Sequence, residues 1–233
     1  MGLFIEPEEI QKTISILKPN NELYECRIIK GFTVLSGYFR GADKLIAELG
    51  KVDLRGANVY FTLQRLHEGC EARIQWEHFV ESGRAKVPTT SDKDIVAYEY
   101  IPVDLDPIRP AGISSSEGEK AAAEEMRELI IAYMTEKGFR RYISASSGNG
   151  YHVLFPVDLK NNEESRGKVQ RILSDLDSMF SNDLCEVDAG NYNPGRIFKL
   201  YGTLAQKGRS TPERPFRMSR IEEEWGTLSD ERD

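Results

Sequence analysis

Cysteine is scarce and dispersed. Cys26, Cys70 and Cys185 are the only three in 233 residues, and none stands in a CxxC pair, so neither a disulfide framework nor a structural zinc site is legible. All three are expected as buried thiols. Long apolar runs are also missing: no stretch of about eighteen apolar residues exists to span a bilayer. The start Met1-Gly2-Leu3-Phe4-Ile5-Glu6 lacks the basic and apolar regions of a signal peptide, and Glu6 stands where a myristoylation signal needs Ser or Thr. The expectation is a cytoplasmic protein with no membrane partner. Internal repeats and low-complexity tracts are absent too. What remains, 39% hydrophobic and 30% charged residues, is enough to bury a core in one large domain or two closely packed subdomains.

A net positive charge is lacking as well, since the formal charge is −7. Its distribution is uneven. Between Gly195 and Arg220 lie Arg196, Lys199, Lys207, Arg209, Arg214, Arg217 and Arg220 against the single acid Glu213, so this segment carries +6 and the remainder −13. A basic stripe on an acidic protein suits a phosphate-contacting surface, although a solvated basic loop has the same composition.

Residues 1–94 alternate short apolar runs with turns. Glu25 to Leu35 is followed by a polar turn at Ser36-Gly37, a helical stretch at Asp43 to Leu49, and the β-branched and aromatic run Ala57 to Leu63. A small α/β subdomain is predicted here. Residues 95–220 give sharper signals. Ile95 to Asp106 forms a strand, and a Pro/Gly/Ser loop leads to a helix from about Glu117 to Lys137. Ser116 and Glu119 make a capping box for that helix, whose apolar face is Ala122, Met126, Leu129, Ile130 and Tyr133. Strands follow at Arg141 to Ala145 and Tyr151 to Val157. A second helix at Glu163 to Phe180 leads to strands at Cys185 to Asp188 and Arg196 to Tyr201. The order β-α-β-β-α-β predicts an α/β (α+β) fold with an RRM-like, ferredoxin-like catalytic core packed with the N-terminal α/β subdomain. Residues 221–233 are acidic and are expected to be a linker or a truncated helix.

Three segments carry chemistry. In Val103-Asp104-Leu105-Asp106-Pro107, strand alternation sends Val103 and Leu105 to the core while Asp104 and Asp106 leave together from the other face, roughly 6 to 7 Å apart at Cβ. Carboxylates so placed can converge on a hard cation, and two solvated aspartates at a strand end would show the same pattern. In Ser147-Gly148-Asn149-Gly150-Tyr151-His152, two glycines allow close backbone approach, the turn can form an anion-binding concavity, and His152 can donate to a phosphate oxygen. The same residues also make a plain hairpin turn. In the third segment Asp188 closes a short strand and supplies a third carboxylate, with Glu186 of the same parity as a competitor. Arg196 and Lys199 follow at a spacing of three, which puts them on opposite faces of a regular strand. Acids at strand ends, a glycine-bracketed loop and a trailing basic segment are the parts a two-metal phosphoryl-transfer site requires.

In this order the segments resemble the archaeo-eukaryotic primase superfamily, in particular the primase-polymerase domains of phage and plasmid replication proteins. Asp104-Leu105-Asp106, Ser147 to His152 and Val187-Asp188 match its three motifs. Asp106-Pro107-Ile108-Arg109-Pro110-Ala111-Gly112-Ile113-Ser114, Asn193-Pro194-Gly195-Arg196-Ile197, Gly202-Thr203 with Lys207-Gly208, and Arg214-Pro215-Phe216-Arg217 extend the match. The zinc-binding stem of many relatives has no counterpart in three scattered cysteines.

The resemblance implies a template-dependent primase-polymerase that uses NTP or dNTP and Mg²⁺ or Mn²⁺ to make or extend primers on a single-stranded DNA template or primer-template. Asp104, Asp106 and Asp188 would hold the metal. Ser147, Gly148, Asn149, Gly150, His152, Arg196 and Lys199 would bind the nucleotide, and Lys207, Arg209, Arg214 and Arg217 the nucleic acid. A helicase domain or partner often accompanies such domains. Two other readings stay open on sequence alone: a two-metal nuclease or phosphohydrolase, with water as nucleophile, and a catalytically idle single-strand-binding module.

Overall fold

The structure is a computed structural model and describes residues 4–82 and 87–225. Two antiparallel sheets organise it. In the first, β1 (Leu23–Lys30), β2 (Thr33–Arg40), β3 (Asn58–Thr62), β5 (Val80–Glu81) and β10 (Ile197–Lys199) run in the order β10-β3-β1-β2-β5. The second contains β4 (Arg65–Leu66), β6 (Ile95–Pro107), β7 (Tyr142–Ser146), β8 (Tyr151–Lys160), β9 (Cys185–Val187) and β13 (Arg220–Trp225). Its order is β13-β7-β8-β6, and both β4 and β9 pair with β6. A short ribbon of β11 (Leu204–Ala205) and β12 (Arg217–Met218) lies beside them. The helices are α1 (Pro7–Leu17), α2 (Asp43–Leu49), α3 (Glu117–Glu136) and α4 (Glu163–Phe180).

Within the second sheet the sequence order β6-α3-β7-β8-α4-β9 and the spatial order β9-β6-β8-β7 are those of the expected ferredoxin-like core. Local chemistry sets the helix starts. Ser116 Oγ accepts the Glu119 N–H at 3.3 Å while the Glu119 carboxylate accepts the Ser116 N–H at 2.8 Å, the predicted capping box. Such a cap contributes about 1 kcal/mol. Asn162 caps α4 in the same way, accepting from Ser165 at 2.9 Å. Among the described residues no helix is long and apolar enough to cross a membrane.

Several expectations need correction. The hairpin turn falls at Gly31-Phe32, not Ser36-Gly37, because buried Ser36 donates to the buried Glu25 carboxylate across the ladder at 2.5 Å and so belongs inside β2. The buried face of α3 is Ala123, Met126, Arg127, Ile130, Ile131 and Met134, and Leu129 is 61% exposed. Arg127 takes a core position by lying over the Tyr151 ring and pairing with Glu222 at 2.7 Å, which rotates the face from the one apolar residues alone predict. Residues 220–225 form an edge strand on β7, with Ile221 in the core, where a linker or helix was expected. The rest of that acidic segment, 226–233, lies outside the described residues. Helix α1 is an addition, started by Pro7 with Glu8 and Glu9 in its first turn.

The second sheet is covered on both faces. Ile101, Val103, Leu105, Val153 and Phe155 pack under α3 and α4. Tyr100, Ile143, Ala145, Leu154 and Ile221, from the opposite face, join the core formed by α1, α2 and the first sheet. Strands cross the sequence position of the expected 94/95 boundary in both directions, β4 pairing with β6 and β10 with β3.

Candidate active site

Strand alternation on β6 decides where the acids point. With Val103 and Leu105 under the helices, Asp104 and Asp106 share the other face with Tyr100, which is buried between the sheets. Where this face changes from apolar to acidic, a cleft of about 120 Å³ opens. Asp104, Asp106, Ser147, Asn149 and His152 line it from the second sheet, Asn58, Tyr60 and Lys199 from β3 and β10, and Lys207 from the loop after β11.

The two carboxylates sit in different fields. Burial pushes the Asp104 pKa up, but the His152 imidazole, the Asn191 amide and the Lys207 charge together outweigh it and hold Asp104 below the ordinary carboxylate value. His152 Nε2 is 3.3 Å from Asp104 Oδ1, and Asn191 Nδ2 donates to Asp104 Oδ2 at 3.3 Å. Asp106 goes the other way. Burial and the neighbouring Asp104 charge raise it, against weaker opposition from Lys207 and Arg109. Lys199 is 5% exposed, donates to the Leu204 carbonyl at 3.0 Å, and is pushed down by burial to about 7. Tyr60 is raised, first by burial and then by Asp104 and Asp106, which sets the phenol from β3 in the field of the carboxylates.

The glycine loop is pressed against this strand. A Cβ on Gly150 would overlap the Leu105 carbonyl oxygen, between the two aspartates, and one on Gly148, at φ +97°, would lie 2.5 Å from Ala205 Cβ. Only glycine fits at either position. The N–H groups of Gly148 and Gly150 donate to Ser146 Oγ at 3.2 Å and Ser147 Oγ at 3.1 Å, so the loop spends both donors on its own hydroxyls. Asn149 is buried and accepts the Ser115 N–H at 2.9 Å, which fastens the loop to the start of α3.

His152 stands opposite Asp104 in the β6–β8 ladder. Its Nδ1 is 2.8 Å from the Tyr201 hydroxyl and its ring packs edge-on against Phe198. Both ring nitrogens therefore already have polar partners. Asp188 extends β9 beside Asp104, its N–H donating to the Asp104 carbonyl at 2.9 Å, while its carboxylate accepts the Gly190 N–H at 2.9 Å and caps the turn Ala189–Tyr192. Glu186 is the direct partner of Asp106. Arg196 precedes β10 and donates to Asn191 Oδ1 at 3.1 Å, so it reaches Asp104 only through that amide. Lys199 lines the cleft, and Arg196, which precedes the strand, does not.

The basic segment divides. Arg214 forks onto Glu119 at 2.6 and 2.7 Å, Arg217 pairs with Glu117 at 2.6 Å, and both also donate to backbone carbonyls of the loop before α3. Arg209 is exposed. Lys207 lies at the carboxylates rather than on an outer track. Asn58, Tyr60, Asn191 and Tyr201 have no motif to announce them. The one sequence signal is that Asn191 and Tyr201 flank the third acidic segment on its C-terminal side.

The donor set suits a hard divalent cation. Two carboxylates on one strand face, one of them raised by the other's charge, are an arrangement that a bound cation relieves. Among the described residues no three or more His, Cys, Asp or Glu side chains form a ready-made cage. One or two carboxylates completed by substrate phosphates is the usual mode for Mg²⁺.

No known family profile matches the chain, and no curated protein matches its sequence. Its fold is similar to that of the AEP domain of the primase-polymerase of Cyanophage S-2L, with a TM-score of 0.54 and 13% identity over 97% of this chain and 94% of that one. It is also similar to primase RepB′, with a TM-score of 0.51 and 11% identity over 95% of this chain and 57% of that one. The catalytic domain of RepB′ in complex with initiator DNA gives 0.50 and 11%, over 95% and 86% of the two chains. The fold is thus that of the primase-polymerase domains anticipated from the motifs.

Proposed function

We propose that this chain is the catalytic domain of a primase-polymerase, which joins nucleotides to a DNA strand under the direction of a template. The observation that carries the reading is the cleft, where Asp104 and Asp106 lie on one wall with His152, Lys199 and Lys207 around them. Acids for a cation beside basic groups for phosphates are what nucleotidyl transfer requires. The likeness in fold to a phage primase-polymerase and to a primase domain in complex with initiator DNA supports transfer and DNA as the partner.

Asp104, Asp106 and, from the adjoining strand end, Asp188 would hold Mg²⁺ or Mn²⁺, which when bound lowers the pKa of an attacking hydroxyl and stabilises the departing pyrophosphate. The protein's own share is positioning. The loop Ser147 to Gly150 shapes the triphosphate side, Lys199 and Lys207 offer donors to its oxygens, and His152 would join them by exchanging one of its present partners. Arg196 holds Asn191, and Asn191 in turn holds one oxygen of Asp104 in place.

The test is incubation with single-stranded template and labelled nucleotides, in Mg²⁺ and in Mn²⁺, with and without a primer. Addition is expected from the wild-type chain. Asp104→Asn and Asp106→Asn should each reduce it by about 100-fold or more, the scale of removing a group that acts on developing charge, while their circular dichroism stays that of the parent. Extension at wild-type rates by both variants would show that the pair does not serve the chemistry.

A further inference from the structure

The segment Asn193-Pro194-Gly195-Arg196 stands out in the sequence, and so far only its arginine has a use, through Asn191. Its glycine is pressed against a distant part of the chain. The Gly195 N–H donates to Asp92 Oδ1 at 3.0 Å, and a Cβ on Gly195 would lie 2.8 Å from both the Asp92 backbone nitrogen and that same oxygen. A larger residue would push the two segments apart. From this contact we infer that Asp92 is a positioning residue for Asp104, acting through Gly195, Arg196 and Asn191. The inference deepens the transfer reading given above and rests on it.

Asp92 is held as a fixed post. Its second carboxylate oxygen accepts from Arg166 of α4 at 3.2 Å, and its carbonyl accepts the Asn161 amide at 2.9 Å, which ties it to the end of β8 in the second sheet. Ser91 and Asp94 form a capping box around the short turn that Asp92 opens. Thr90 fastens the same segment to the first sheet, its N–H donating to the Glu25 carboxylate at 2.9 Å and its carbonyl accepting Arg27 at 2.7 Å. Glu25 is fully buried. A buried carboxylate that loses a donor is left unpaired away from water, so this tie is costly to break.

The turn that ends in Arg196 needs such a post. Between β9 and β10 it is pinned at three points: the Asp188 carboxylate accepts the Gly190 N–H at 2.9 Å, the Tyr98 hydroxyl donates to the Tyr192 carbonyl at 2.9 Å, and Asp92 takes Gly195. The last pin is next to Arg196 in the chain. A guanidinium has only donors, so Asn191 must turn its amide oxygen toward Arg196, at 3.1 Å, and its amide nitrogen then faces Asp104 Oδ2, at 3.3 Å. Shifting the Arg196 backbone removes the partner that fixes the orientation of that amide. Of the two side chains that hold Asp104, His152 alone would remain, and the carboxylate would be free to turn from its working direction.

The experiment uses the full chain with its three histidines labelled with nitrogen-15, and reads their imidazole nitrogens by NMR beside nucleotide addition. His152 Nε2 lies 3.3 Å from Asp104 Oδ1, so its resonances report the place of the carboxylate without any reaction. Asp92→Ala should move them and lower kcat by about tenfold or more, the scale of a small misplacement of a reacting group, while the nucleotide KM stays near its wild-type value. Asp92→Asn keeps an acceptor for the Gly195 N–H and should restore most of the rate. Gly195→Ala, which parts the same contact from the other side, should reproduce Asp92→Ala, and it carries the test where Asp92→Ala does not fold. On an Asn191→Ala background Asp92→Ala should cost little more, because the route to Asp104 is already cut. Unmoved His152 resonances in the folded variants, or rate losses that simply add on that background, overturn the inference. A wild-type chain that adds no nucleotide removes the transfer reading, and the His152 resonances then decide alone whether Asp92 sets the place of Asp104.

Discussion

A lysine amine held among apolar and aromatic groups lowers stability, and Lys199 is held this way for its position in the cleft. Its folded pKa is depressed by burial from the ordinary 10.5 to about 7. The sign follows from linkage: the neutral amine is favoured in the folded chain, so the contribution is fully present above the ordinary lysine value and lost as pH falls to about 7. Below that the cost is greatest, up to roughly 5 kcal/mol. Lys199→Met should therefore raise the melting temperature most at pH 6, with the gap to wild type closing toward pH 10, and should weaken nucleotide binding. Melts of both proteins across that range check it, and a gap independent of pH would mean that the amine is solvated.

At the scale of elements, the site depends on a loop with no room to spare. Gly150→Ala would force the loop off the Leu105 carbonyl, displacing it from the strand that carries both aspartates. Nucleotide addition should fall further than stability does, as addition rates beside urea melts would reveal. The basic segment makes a second prediction. Arg214 and Arg217 brace the start of α3 through Glu119 and Glu117, so they are poor candidates for template phosphates. Removing a cation that neutralises one phosphate should flatten the salt dependence of single-strand binding by about 0.7. Titrations at several salt concentrations should show Arg209→Ala flattening it, and Arg214→Ala and Arg217→Ala leaving it unchanged.

These elements also mark what the sequence made legible. Alternation put Asp104 and Asp106 together, and capping chemistry placed the start of α3, because both signals are local. The pairing of Arg214 with Glu119 joins residues far apart in the chain, and charge counting cannot distinguish a paired arginine from a free one. Tyr60 and Asn58 escaped notice for a similar reason. They lie on β3 of the first sheet, which lines the cleft together with β10, and no periodicity announces that β10, which follows the strands of the second sheet in the chain, pairs in the first. The edge strand at 220–225 was hidden by its charge, since Ile221 is buried while Glu222, Glu223 and Glu224 lie exposed in a row after it.

At the scale of the whole molecule, the cleft belongs to neither half. Its acids come from β6, its phenol and amine from β3 and β10, and the two sheets share one core through Tyr100, Leu154 and Ile221. A buried lysine fastens the halves again: Lys18, at the end of α1, donates to the Leu63 carbonyl at 2.7 Å, the Gln64 carbonyl at 3.2 Å and the Glu99 carboxylate at 3.0 Å. Separating the halves would break these bonds and open apolar surface at once. The boundary at 94/95 expected from sequence should then fail as a cut. A fragment of residues 95–233 loses β4, which pairs with β6, and β3, which pairs with β10, and leaves one face of the second sheet bare. It should lack a cooperative melt and form no nucleotide product. The intact chain should unfold in one step, with circular dichroism and tyrosine fluorescence transitions coinciding. Two separated transitions in the intact chain, or a fragment that melts cooperatively, would mean that each sheet supports itself and that the cleft is a contact between independent domains.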